Sequence, residues 1–141
     1  MTNDIINGIA VKLHEVFPNV TIYKENIHQG LEEPCFLILP LDSTQDAQLP
    51  NRYWRTYLFN VQYFPKSETE PKTEMLTVAE TLFFELEHIF CLENPLRGIR
   101  MHYEIMDNVL HFFVSYNLFV KKQTKKGNFM YTLNYKQNTE E

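Results

Sequence analysis

The chain has 141 residues, of which 44% are hydrophobic, 14% aromatic and 22% charged, with a formal net charge of −5. This length fits one domain that buries a core without staples, and the composition is not that of a disordered segment. The acidic balance argues against wrapping of nucleic acid and against binding to an anionic membrane, and no run approaches the ~18 apolar residues of a membrane span.

The start, MTNDIINGIAVK, lacks the basic residues, apolar stretch and cleavage site of a secretion signal, so a soluble cytoplasmic protein is expected. Residues 3–17 read as an amphipathic helix in which Ile5, Ile6, Ile9, Ala10, Leu13, Val16 and Phe17 form one stripe. Thr2 to Asp4 offer capping side chains, and Pro18-Asn19 stops the helix. Gly8 inside it costs about 1 kcal/mol against Ala, for which close packing is the expected reason.

VTIYKE (Val20–Glu25) alternates as a short strand, and CFLILPL (Cys35–Leu41) is a second, more continuously apolar one. Pro40 cannot donate to a ladder, so that strand ends there or lies at an edge. Asp42 to Asn51 reads as a polar connector. Arg52 to Phe64 is a long strand with Tyr53, Tyr57, Phe59, Val61 and Tyr63 on one face and Trp54, Leu58 and Phe64 on the other, beside Thr56, Asn60 and Gln62. A strand has two faces with period 2, so large side chains on both call for cover on both. Its length, against a usual ~5 to 6 residues, predicts a bend, a bulge or a portion projecting from the body.

PKSETEPK (Pro65–Lys72) is a solvated loop leading to a second helix, from about Pro71 to Phe90, on which Met75, Val78, Ala79, Leu82, Phe83, Leu86, Ile89 and Phe90 hold the helical period. Proline suits its first turn, and the acidic residues there suit the helix N-terminus. A hairpin follows, Leu96–Met106 against Val109–Lys121, around Asp107-Asn108, which tolerate the positive φ of a type I′ turn. That register sets Ile105 against Leu110, Tyr103 against Phe112 and Met101 against Val114. After a polar stretch, FMYTLNY (Phe129–Tyr135) is a last alternating run. The order predicts an α+β domain: a mixed, mostly antiparallel sheet of four to five strands with two helices packed on one face.

Catalytic patterns are weak. The hairpin register sets Glu104 across from His111, with His102 on the same face, which is half of a general-base site or an ordinary cross-strand pair. No nucleophile elbow, helical His metal pair, calcium loop or glycine-rich phosphate loop is present, so no catalytic residue, metal or cofactor is assigned. Glu85 and His88 have the spacing of a helical surface pair. Cys35 and Cys91 lack a C-x-x-C spacing and read as reduced core thiols. Arg52 and Arg55 flank Tyr53-Trp54, a pattern that suits single-stranded nucleic acid or, better, a protein contact.

LHEVFPNVTIY, the segment Glu25–Phe36 with its QGLEEPCF, NRYWRTYLFNVQYFPKS (Asn51–Ser67), the Met75–Phe90 helix and RGIRMHYEIMDNVLHFFVSYNLFV together resemble the phage tail terminator family of Firmicutes prophages, over about residues 3–122. The resemblance implies an α+β fold with helices on one side of a mixed sheet, and a structural, non-enzymatic role. It further implies a protein that caps the growing tail tube, stops its polymerisation and presents a surface for joining tail to head, typically as a hexameric ring. The implied partners are further copies of the chain, the tail tube protein and a head–tail connector or neck protein, with no membrane and no sequence-specific nucleic acid. The implied places are the host bacterial cytoplasm during assembly and then the virion tail. Residues 1–122 are expected to form the domain and 123–141 a polar tail that serves as an assembly arm. Arg52, Tyr53, Trp54, Arg55 and Tyr57, with Phe129 and Tyr131, are the expected assembly residues. Another neck or tail-completion protein, a small hydrolase and a single-stranded nucleic-acid binder are the alternative readings.

Overall fold

The computed structural model describes residues 1–25, 30–125 and 128–134, with side chains described as far as Lys122. Helix α1 spans Thr2–Val16 and buries Ile5, Ile6, Ile9 and Leu13, the stripe that the periodicity predicts. Each such aliphatic side chain stabilises the fold by about 1.5–3 kcal/mol. The expected cap is absent: the helix begins on Met1, whose carbonyl accepts from the amides of Asp4 and Ile5, and no side chain caps it. The Met1 amino group lies 3.4 Å from the Asp4 carboxylate instead.

Strand β1 is short, Thr21–Tyr23, and runs parallel to β2, which spans Cys35–Leu49. Here the structure corrects the sequence reading. Residues 42–49 are no connector; they extend β2 past Pro40 and pair with β3, Arg52–Phe64, nearly to the turn. Pro40 is accommodated because a bulge follows it, with the register shifting between Pro40 and Asp42. A second shift between Ala47 and Leu49 precedes the turn, where Asn51 has φ 65°.

Helix α2 spans Pro71–Glu85 and buries Met75, Val78, Ala79 and Leu82. Its predicted last turn does not exist. His88–Cys91 forms strand β4, in which Ile89 and Cys91 are buried while His88 and Phe90 are exposed. Leu86, Ile89 and Phe90 satisfy the helical period by coincidence, but the backbone follows period 2 beside β5. The expected Glu85–His88 helical pair is therefore lost, and Glu87 instead lies 3.2 Å from Arg97 and 4.0 Å from His88.

Strands β5 (Asn94–Met106) and β6 (Val109–Lys125) form the predicted hairpin, with Asp107 and Asn108 at φ 51° and 63°. Ile105 faces Leu110 and Tyr103 faces Phe112, as expected. The register then shifts between His102 and Ile99, so the ladder does not include the expected Met101–Val114 pair; Arg100 stands in this irregularity with φ 54°. Strand β7, Asn128–Asn134, pairs antiparallel with the end of β6.

Among the described residues the sheet has seven strands where four to five were expected, in the order β1-β2-β3-β6-β5-β4, with β7 on β6. Both helices pack on one face, over Phe36, Ile38, Phe59, Val61, Phe112, Val114 and Tyr116, all fully buried. Gly98 N donates to Glu87 O at 2.7 Å, and Tyr116 OH donates to Leu86 O at 2.7 Å, fixing the chain where it leaves α2.

Candidate assembly surface

The outer half of β2 and its turn into β3 form an exposed arm, whereas Tyr57 on β3 and Leu118 and Val120 on β6 beside it belong to the buried core. All residues of β2 from Leu41 onward are exposed, on both faces. Ordinarily an uncovered strand of Asp, Ser, Thr and Gln has little reason to order. Its partner β3 supplies the reason, because a strand of 13 residues must satisfy its backbone donors and acceptors along its whole length. On its other side β3 pairs with β6 from Arg52↔Lys121 to Tyr63↔Leu110.

Side chains stiffen this arm. Trp54 and Phe119 meet edge to face with ring centroids 4.5 Å apart, a contact worth about 0.5–1.5 kcal/mol beyond its buried area. Arg55 Nε donates to Gln45 Oε1 at 2.6 Å and its Nη1 to the Tyr57 hydroxyl at 3.1 Å. The turn is tied to β6 by Lys122 N donating to Asn51 O at 2.8 Å.

The expected assembly residues separate on this frame. Arg52 is exposed at the turn, and Tyr53, Trp54 and Arg55 are half-buried along the arm. Tyr57 does not belong with them: at 4% exposure it is a core residue and reaches the surface only through Arg55. Phe129 and Tyr131 stand on β7, their backbones opposite Thr124 and Lys122, while their side chains lie outside the described residues.

The face of the sheet away from the helices has a depression of about 330 Å³ lined by Asp42, Asp46, Trp54, Arg100, Ser115 and Asn117, among others. Asn117 Oδ1 and, farther along the same face, Asn60 Oδ1 are buried without a hydrogen-bond partner. Glu104 does oppose His111 in the ladder. The bond of His111, however, is to Asn60, whose Nδ2 donates to its Nδ1 at 3.3 Å, and His102 stacks on Phe113. The structure gives no hydrogen bond or ion pair within the half-site that the spacing raised. Cys35 and Cys91 are free and buried, and burial pushes both thiols up to about 11. Glu74 is a structural hub rather than a ligand, accepting from Tyr63 OH at 2.5 Å and from the amides of Lys66 and Ser67 at 2.8 Å each. Among the described residues no group of His, Cys, Asp and Glu could hold a metal ion.

Exposed apolar side chains mark places that sequence reasoning missed. Leu41 and Leu49 on the arm are 48% and 60% exposed. Val11, Phe90 and Leu92, at 59%, 60% and 67%, gather around a depression of about 290 Å³ between α1 and β4. One signal was available: Val11 stands off the stripe of α1. Phe90 is hidden by its place on the helical stripe, and Leu92 follows that expected helix, where nothing in the spacing marks it. Among the described residues no helix is long and apolar enough to cross a membrane.

A family model described as "Phage tail terminator protein" matches residues 4–128. The match runs beyond Lys122, where the sequence resemblance ended. Comparison with curated proteins gives no match. The chain belongs to the phage tail terminator family and is a structural protein of the phage tail.

Proposed function

We propose that this tail terminator acts by binding alone: it closes into a ring on the end of the tail tube, halts addition of further tube subunits and offers its outer surface to the head–tail connector. The observation that carries this reading is the arm. Residues 41–52 are exposed on every side, yet they pair with β3 on both sides of a bulge between Ala47 and Leu49, and the Trp54–Phe119 contact stands beside them. Such a stiff, uncovered element with apolar residues suits contact with another subunit. A ring requires heterologous contacts, in which one patch meets a different patch on the next copy, and a hexamer is the proposed closure. The protein would act in the host cytoplasm during tail assembly and remain in the virion.

Tails assembled without this protein test the reading. Negative-stain images are expected to show overlong tubes. Tubes of normal length that lack heads would instead assign it to the neck, the second reading. The segment 123–141 is proposed as an assembly arm, since β7 pairs only with β6 among the described residues and so offers its other edge. Unchanged assembly by light scattering after deletion of 123–141 would reject that part while leaving the capping role intact.

A further inference from the structure

Leu92 is held in a conformation that leucine avoids. It opens the turn between β4 and β5 at φ 60°, in the left-handed region, and its side chain is 67% exposed. Glycine or asparagine would occupy such a turn at lower cost, and an exposed leucine gains nothing there within the single chain. Phe90 and Val11 stand beside it, and the three edge a depression whose floor includes Gly8, where α1 comes closest to β4. Around it lie Glu15 and Lys12, with Asp4 set against the Met1 amino group, and Glu93 follows Leu92 in the turn.

The tip of the arm has the opposite character. Leu49 is 60% exposed, and next to it Arg52 pairs directly with Lys121, both exposed. Two cations facing each other across a ladder repel, and an acidic partner relieves them. One surface is thus an apolar hollow with Glu15 and Glu93 near it against Lys12, and the other an apolar knob beside two cations. They are built from different elements, α1 and β4 against the β2–β3 turn, as a heterologous contact requires.

We propose that the arm tip of one copy, led by Leu49, seats in the α1–β4 hollow of the next copy, between Val11, Phe90 and Leu92, with Arg52 and Lys121 set against Glu15 and Glu93. This deepens the proposed ring by naming its two surfaces, and it rests on that reading. Rings form because each subunit carries both halves of the contact.

The test uses full-length protein, followed by light scattering alone and in the presence of tail tubes, with thermal unfolding as the control for folding. Leu92→Asn is expected to keep or raise the thermal midpoint, since asparagine tolerates the left-handed turn, while assembly weakens at least tenfold. Leu49→Asp is expected to unfold like the wild type and to lose assembly. In an oxidised equimolar mixture of Leu49→Cys and Phe90→Cys, covalent heterodimers should form, and neither variant alone should cross-link. Assembly of Leu92→Asn and Leu49→Asp at wild-type concentrations overturns the contact, as does self-cross-linking of either cysteine variant. If those variants still stop tube growth, the contact fails and the capping role stands. If the wild type neither assembles nor shortens tubes, both fail.

Discussion

Replacing Gly8 by alanine puts a single methyl group where α1 meets β4. A Cβ at that position would lie 2.1 Å from Phe90 O and 3.1 Å from Phe90 C, with Ile89 Cδ1 at 3.5 Å. The obstruction is backbone, so no side chain can rotate away, and the helix must separate from the strand by roughly 1 Å before ordinary contact is restored. Overpacking of this kind costs about 1–3 kcal/mol, and the backbone obstruction places Gly8→Ala at the upper end. Against that, alanine gains about 1 kcal/mol of helix propensity. The difference is a loss of about 2 kcal/mol, or a fall of about 6–8 °C in Tm for a domain of this size. Urea unfolding and thermal melts of Gly8→Ala, beside His14→Ala on an exposed position of the same helix, measure it. His14→Ala should be neutral or slightly stabilising. A Gly8→Ala protein as stable as the wild type, or more stable, would refute the close-packing argument, because propensity alone would then decide the sign.

Three further outcomes are expected. The Glu74 carboxylate is pushed up by burial, but this is outweighed by hydrogen bonds from Tyr63 OH and the amides of Lys66 and Ser67 and by the charge of Lys66, so its pKa falls below the ordinary 4.5. Its contribution is therefore complete above that value and is lost as pH falls through the lower folded value; Glu74→Ala should cost about 2 kcal/mol at pH 7 and flatten the acid limb of a stability–pH curve, and an unchanged limb would contradict it. Tyr116→Phe removes the fully buried hydroxyl that donates to Leu86 O, at an expected cost of about 1–2 kcal/mol by urea titration; a cost near zero would mean that the carbonyl finds another donor. With both thiols raised to about 11 by burial, Cys35 and Cys91 should resist a thiol reagent at pH 8 in the folded protein and react within minutes in denaturant; rapid labelling of the native protein would contradict their burial.

The parts of the fold that were legible are those in which one local rule acts alone. Strand β3 begins and ends at the residues that the aromatic alternation gives, Arg52 and Phe64. The β5–β6 register follows from the turn Asp107-Asn108, because two residues at positive φ fix which side chains face each other. Residues 42–49 were illegible because their strand has no covered face, so no apolar alternation exists to be read. Their order comes from pairing with β3, a long-range cause. Residues 86–90 failed for the opposite reason: Leu86, Ile89 and Phe90 fit the helical period, and only pairing with β5 makes 88–91 a strand that buries Ile89 and Cys91 and exposes Phe90. The candidate site divides in the same way. Trp54 and Arg55 could be singled out by composition, whereas the hollow at Val11, Phe90 and Leu92 exists only once β4 is a strand.

The double-faced aromatic strand also acquires a different meaning from its setting. Large side chains on both faces of β3 call for cover on both. Much of that cover is internal: Trp54 packs on Phe119, and Asn60 is only 7% exposed although no helix lies over it. The strand's aromatics therefore stiffen the arm, and the surface left for contact has moved outward to its turn. Leu49, Arg52 and Lys121 cluster there, without apolar cover and with like charges opposed. This arrangement favours substitutions at Leu49 over substitutions at Trp54 as the sharper probe of assembly. Trp54→Ala should lower stability and assembly together, and Leu49→Asp should lower assembly alone. Equal losses of Tm in the two variants would place Leu49 in the fold rather than at a contact.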